Sequence, residues 1–349
     1  MRLGALLFCA GSLFATDVSV YVSSKAGDRL AKKTPIQLSA ASSGVTASFR
    51  IDDSKRLQRM DGFGATFLEA GMICLRALDQ PQRDAVLSAL FDPAKGAGFS
   101  VMKSPIAGTD FQAAGGWYTY DDTPGDVRME HFSIARDLAP NGLIPFIKDA
   151  QRYGRFLLQS PMDYPPDWML KDVEKNQDVD PKYYPALALY YLRFAEEYEK
   201  QGVHIDYVSL FNEPGIYTKI PYTEIRELLK NHVGPLFAKS GTKTRLQLSE
   251  APDRDNAVTN YPTILDDPAA RKYVASAPYH GYGFKDFDRM AGLIRRYPGI
   301  PFWMTEICWA YEAGARKDIK LPRYDWEDGD FWANQGNHVG NNRETSMEK

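Results

Sequence analysis

The sequence predicts an α/β protein, a (β/α)8 TIM barrel lacking its last strand, on three observations. From about Met60, short apolar runs alternate with longer stretches of helical periodicity, the pattern of parallel strands joined by crossover helices. The apolar runs MDGFGATF, FSVMKSPIAG, RFLLQSP, YVSLFNEP, RLQLSEAP, VASAPYHGY and PFWMTE make seven such alternations over about 250 residues, the usual length of a barrel. No phosphate-type glycine fingerprint follows any of them, which disfavours a doubly wound open sheet, the other arrangement that this alternation allows.

Ahead of the barrel, residues 1–15 (MRLGALLFCAGSLFA) carry one arginine, a short apolar stretch and a small last residue, as an export signal does. They are too short to span a bilayer, and a periplasmic or extracellular chain cleaved near Ala15 is expected. The segment 16–55 reads as N-terminal strands that precede the repeating part. DVSVYVSSK (17–25) alternates like a half-buried strand, and SGVTASFRID (43–52) is a second. The barrel follows over 56–335.

Two of its helices have legible ends. In DPKYYPALALYYLRFAEEYEKQG, Asp180 can cap, Pro181 suits the first turn and Gly202 stops the helix, with Leu187, Tyr190, Tyr191, Phe194 and Tyr198 on one face. YTEIRELLKNHVGPLFAKSG is expected to open on Thr223 and close at Gly241. From Gly336 to Lys349 almost nothing apolar remains to bury, and a disordered tail is expected.

The 349 residues, 44% hydrophobic and 25% charged, have an ordinary globular composition. With 42 basic against 45 acidic residues and a net charge of -3, there is no electrostatic footprint for nucleic acid or an anionic membrane. The 20 tyrosines and 6 tryptophans suit sugar faces, but large cores use the same rings. Without the leader's Cys9, Cys74 and Cys308 remain; two buried free thiols are expected and pairing stays open. Five histidines without ligand spacing give no expectation of a metal site, and no cofactor is called for.

In a barrel the C-terminal ends of the strands converge on one mouth, so polar residues that terminate apolar strands share a pocket. Glu213 ends YVSLFNEP and Glu306 ends PFWMTE. Either alone could be an ion-paired strand end. Together they suit glycoside hydrolysis, which needs one proton donor at the leaving oxygen and one carboxylate on the opposite face of the sugar. Asn212, beside Glu213, is an amide able to bond a sugar 2-hydroxyl. His280 and Tyr282 share the period of one strand face and could steady Glu306 or a hydroxyl, or His280 is an ordinary buried, satisfied histidine. Asp110 either accepts bonds from sugar hydroxyls or caps its turn, Trp309 and Trp168 either stack on sugar or pack in the core, and YTYDDTPGD (118–126) is a loop that could wall the cleft.

The segments DGFGATFLEAG, SPIAGTDF, YTYDDTP, LFNEP, YHGY and WMTEICWAYE resemble those of glycoside hydrolase family 30, the group that includes acid β-glucosylceramidase, over roughly residues 17–335. The resemblance implies a retaining β-glycosidase of glucosylceramidase or β-glucosidase type that needs no cofactor, with Glu213 as general acid/base and Glu306 as nucleophile. It also implies a sugar subsite lined by Asp110, Asn212, His280 and Tyr282, and a substrate that is a β-glucoside or glycan, a glycosphingolipid among the candidates. An endo-acting β-glycanase working on β-1,6-glucan, β-1,6-galactan or xylan, and a non-catalytic sugar-binding remnant, are the alternatives. The resemblance further implies a (β/α)8 barrel accompanied by a β-sandwich, to which 16–55 would contribute the N-terminal strands. Three features depart from the family pattern: Lys103 where the family usually has arginine, Met162 where it commonly has tryptophan, and a chain that stops before the family's eighth strand and the rest of that sandwich.

Overall fold

The structure is a computed structural model that describes residues 17–37, 52–56, 59–112, 117–175, 177–282, 287–307 and 326. The expected leader, most of the strand expected over 43–52, Cys308, Trp309 and the expected tail lie outside the described residues. Strand β1 (Asp17–Val22) alternates in exposure as expected and pairs antiparallel with β2 (Ala31–Gln37). The sequence reading missed β2, because AKKTPIQ has no alternating apolar residues; its pairing with β1 makes it a strand.

Among the described residues, six parallel strands form the barrel sheet: β3 (Val101–Lys103), β4 (Leu157–Pro161), β7 (Tyr207–Ser209), β8 (Arg245–Gln247), β9 (Val274–His280) and β10 (Phe302–Glu306). They lie in the order β10-β9-β8-β7-β4-β3, each beside its neighbour in sequence. A short hairpin of β5 (Leu170–Asp172) and β6 (Gln177–Val179) sits in the connection after β4. The first expected strand, MDGFGATF, is not regular. It follows β3 through Ser100 N to Phe63 O, Lys103 N to Ala65 O and Phe67 N to Lys103 O. Gly64 is where the two backbones meet: a Cβ there would stand 1.6 Å from the Val101 carbonyl oxygen, so only glycine permits the approach. Trp303 of β10 reaches back to Asp61 (2.9 Å) and packs edge-on to Tyr207 of β7, so side chains from opposite strands fill the interior.

The helices are α1 (Glu69–Arg76), α2 (Gln80–Phe91), α3 (Ala135–Leu138), α4 (Leu143–Gln151), α5 (Tyr184–Lys200), α6 (Tyr222–Leu228), α7 (Gly234–Ser240), α8 (Arg254–Leu265), α9 (Pro268–Arg271) and α10 (Phe287–Arg296). Asp79 caps α2 in a reciprocal box with Gln82. Before α5, Asp180 accepts from Lys182 N and a tighter turn over Pro181–Tyr183 precedes the helix, while Gly202 takes the left-handed conformation beyond it. All five residues expected on its inner face are buried.

The α6 start is a correction: Thr223 lies inside the helix and the extended Pro221 is its cap residue, with no side-chain cap bond. Burial of Tyr222 pulls the first turn inward, and packing overrides the weaker local preference of Thr223. A wider turn over Leu229–Val233 joins α6 to α7, which ends at left-handed Gly241 as expected. Cys74 also departs from expectation, because its face of α1 is exposed.

Under the rim, Asp137 accepts from the hydroxyls of Tyr118 (3.1 Å), Tyr120 and Tyr198 (2.6 Å), tying the loop that begins at Trp117 to α5. Trp168 donates to Asp121 O and packs edge-on to Tyr183. Half-buried against the core, Trp168 fits the core-packing alternative.

Candidate active site

The strand ends bring six polar side chains together. Lys103 comes from β3, Asn212 and Glu213 follow β7, Glu250 follows β8, His280 ends β9 and Glu306 ends β10. Glu213 has φ +47°, a left-handed backbone that costs a non-glycine residue on the order of 1–3 kcal/mol and clusters at functional sites. The conformation is held by its N–H bond to Glu250 O (2.9 Å) and by Asn212 N to Met162 O (2.7 Å).

His280 stands at the centre. Its Nδ1 lies 2.6 Å from Glu213 Oε1, and its Nε2 lies 3.0 Å from Glu250 Oε2 and 3.5 Å from Glu306 Oε2. Lys103 Nζ donates to Glu306 Oε2 (2.8 Å), Glu250 Oε2 (3.0 Å) and Asn212 Oδ1 (3.2 Å). Tyr282 OH is 3.4 Å from Glu306 Oε1, a long contact. One carboxylate oxygen of Glu213, one of Glu306 and a ring nitrogen of His280 all lie within 4.8 Å of one another.

These contacts set the charges. Burial works against ionising His280, but Glu213 and Glu250 outweigh it and raise the ring to about 9, so it is an imidazolium at neutral pH. Burial likewise opposes the charge on Lys103, and Glu250 and Glu306 overcome it, so the ammonium binds its proton more tightly than usual. Glu250 is fully buried, which alone would raise it; Lys103 and His280 bring it down to about 2. For Glu306, burial is outweighed in the same way by Lys103 and His280, and its carboxyl lies below the ordinary range. Asp163, two residues past β4, is pushed well above the carboxylate range by burial, against the pull of Lys103, with Asp110 and Glu306 adding to the rise.

The result is an ionised carboxylate at Glu306 beside a second carboxyl at Glu213, the arrangement for attack on one face of a small electrophilic carbon and proton transfer on the other. The same donors raise the question of a metal. Both ring nitrogens of His280 already face carboxylates and an ammonium stands at Glu306, so a cation entering here would have to displace Lys103.

Of the residues singled out from sequence, Asn212, Glu213, His280, Tyr282 and Glu306 converge, and Trp309 lies outside the described residues. Among the described residues, Thr109 Oγ1 accepts from Phe111 N in the turn at Asp110, and no cap bond to Asp110 is seen. Asp110 accepts from Tyr217 OH (2.7 Å) on an exposed rim where Trp117 and Tyr217 both pack edge-on to Tyr164. Sequence reasoning missed Glu250 and Asp163. The signal was available, since each follows an apolar strand (RLQLSE, LLQSPMD) by the rule that found Glu213 and Glu306.

Comparison with known proteins agrees with this architecture. The chain is 30% identical over 285 residues to an endo-1,6-beta-D-glucanase of Neurospora crassa, covering 76% of this chain and 57% of that protein. It is 26% identical over 315 residues to the lysosomal acid glucosylceramidase of Mus musculus, covering 83% of this chain and 59% of that one. The chain thus spans about three fifths of the length of these curated relatives. Among solved structures, an endo-beta1,6-glucanase superposes with a TM-score of 0.73 at 24% identity, covering 83% of this chain and 65% of the other, a likeness of fold. Residues 60–333 match the glycosyl hydrolase family 30 TIM-barrel domain, and the chain belongs to that family.

Proposed function

We propose that this protein hydrolyses β-glucosides with retention of configuration, Glu306 acting as nucleophile and Glu213 as general acid/base. The observation that carries the reading is the approach of the two carboxyl groups, with an oxygen of each within 4.8 Å. Between whole carboxyl groups, retaining sites measure about 5–5.5 Å and inverting sites about 6.5–9.5 Å, so the close approach of the nearest oxygens favours the retaining arrangement. In the first step, protonated Glu213 donates to the glycosidic oxygen while ionised Glu306 attacks the anomeric carbon, forming a glycosyl ester and releasing the aglycone. In the second, Glu213 takes a proton from water as the water attacks that carbon, and Glu306 leaves as a carboxylate. Lys103 already occupies Asn212 Oδ1, so the amide NH2 is the group available to a sugar 2-hydroxyl.

A glucosylceramide-like lipid is the first substrate in this proposal, in line with the family's glucosylceramidase branch. β-1,6-Glucan is the second, favoured by the exposed aromatic rim: Trp117 is 49% exposed and packs edge-on to Tyr164, which in turn meets Tyr217, the donor to Asp110, and a second sugar could rest on this rim. Export remains part of the proposal on the strength of the leader at 1–15, and N-terminal sequencing of secreted protein checks it. Among the described residues no helix is long and apolar enough to cross a membrane.

Trapping with a 2-deoxy-2-fluoro β-glucoside bearing an activated leaving group tests the chemistry. Mass spectrometry should find the label on Glu306, and Glu306→Ala should abolish turnover with the fold intact. A label elsewhere, or unchanged turnover, refutes the assignment. Turnover of glucosylceramide against β-1,6-gluco-oligosaccharides then chooses between the substrates.

A further inference from the structure

We infer that Glu250 is a positioning residue for the glycosidase reaction: its carboxylate keeps both nitrogens of His280 protonated, so that the transferable proton of Glu213 resides on the oxygen facing away from the ring. The inference rests on the proposed function for its catalytic meaning and on geometry for its mechanism.

Glu250 is fully buried, and a single oxygen, Oε2, gathers three donors from three strands. They are Lys103 Nζ of β3 (3.0 Å), His280 Nε2 of β9 (3.0 Å) and Thr305 Oγ1 of β10 (2.8 Å). Oε1 has no hydrogen-bond partner among the described residues. The Glu250 backbone is bound to the strand that carries Glu213, through Glu250 N to Phe211 O (2.8 Å) and Glu213 N to Glu250 O (2.9 Å). One residue therefore reaches both active-site carboxylates, Glu213 through His280 and Glu306 through Lys103 and the adjacent Thr305.

The consequence for the proton follows from the two faces of the imidazole. With one proton, drawn to Nε2 by Glu250, the bare Nδ1 would accept the proton of Glu213 through Oε1 at 2.6 Å, aiming it into the protein. With two protons, Nδ1–H donates to Oε1, and a proton bound by Glu213 sits on Oε2, which takes no hydrogen bond from described residues and is free for a leaving oxygen.

The groups facing the ring are Lys103, Glu213, Glu250 and Glu306, with Tyr282 edge-on. Lys103 disfavours the second proton, and Glu250 is the carboxylate in contact with Nε2 that is not itself consumed in the chemistry.

The test compares the full chain with Glu250→Gln and Glu250→Asp. Ring 15N shifts, with His280 identified by its loss in His280→Asn, should report both nitrogens protonated at pH 7 in the wild type. In Glu250→Gln the ring should lose its second proton at least about one pH unit lower, since a charged partner has become neutral. Glu250→Asp should fall between the two. A single-proton tautomer in the wild type at pH 7, or an unchanged midpoint in Glu250→Gln, overturns the inference, and the wild-type measurement stands even if the variants do not fold.

Kinetics give the second readout. For Glu250→Gln, kcat/KM on phenyl β-glucoside should fall roughly 10²-fold, the lower end of what general acid catalysis supplies. On 2,4-dinitrophenyl β-glucoside, whose leaving group needs no proton, the fall should be several-fold. Equal losses on both substrates mark a merely structural role and overturn the inference. If the wild type hydrolyses neither glucoside, the glycosidase reading fails, while the ring shifts still decide the role of Glu250.

Discussion

The imidazolium at His280 should make the protein lose stability as pH rises through the neutral range. Burial would lower its proton affinity, yet contact with Glu213 and Glu250 raises it from 6.5 to about 9 in the folded chain. A group that binds its proton more tightly when folded contributes stability that is fully present below the unfolded value and vanishes as pH climbs past the folded one. The shift is worth about 1.4 kcal/mol per unit, so the contribution near pH 6 is about 3 kcal/mol and is mostly gone by pH 9. The assay is urea unfolding at pH 6, 7.5 and 9 for wild type and His280→Asn. The wild type should lose about 3 kcal/mol more than the variant across that window. Burial lowers His232, which therefore acts with the opposite sign, and subtraction of the two curves removes it. A flat wild-type curve, or parallel curves for the two proteins, refutes the assigned charge.

Three further outcomes are expected. Lys103→Gln should raise the acid limb of the kcat/KM profile, because the ammonium is the strongest influence holding Glu306 below the ordinary range against its burial; an unmoved limb contradicts that contact. Gly64→Ala should destabilise the chain by more than about 3 kcal/mol in thermal unfolding, since the new Cβ would meet the Val101 carbonyl at 1.6 Å and the backbones must part; a near-neutral change contradicts the close approach. Trp117→Ala should raise KM for β-1,6-gluco-oligosaccharides several-fold, as loss of about 1 kcal/mol of ring stacking requires, and leave small aryl glucosides nearly unchanged; equal effects on both contradict a stacking role at the rim.

Where chemistry is local, the linear sequence was enough to read it. Periodicity marked α5 and its buried face, and capping residues and glycines bounded it, because helix ends are satisfied within a few residues. The strand-end rule found Glu213 and Glu306 because a barrel turns position along a strand into position in space. Glu250 and Asp163 also stand just past apolar strands, while the irregular first strand is indistinguishable in sequence from an ordinary apolar run.

What remained out of reach was decided by contacts between distant segments. AKKTPIQ becomes a strand only against β1, Thr223 loses its cap to the burial of Tyr222, and Trp168 is taken up by Tyr183 and Asp121. The charges at the site belong to the same class. Lys103, His280, Glu250 and Glu306 carry no sign of their protonation in the sequence. Only when the fold removes them from water and sets them about 3 Å apart does each ionisation depend on the next, and that coupling makes His280 a cation and leaves Glu306 an anion.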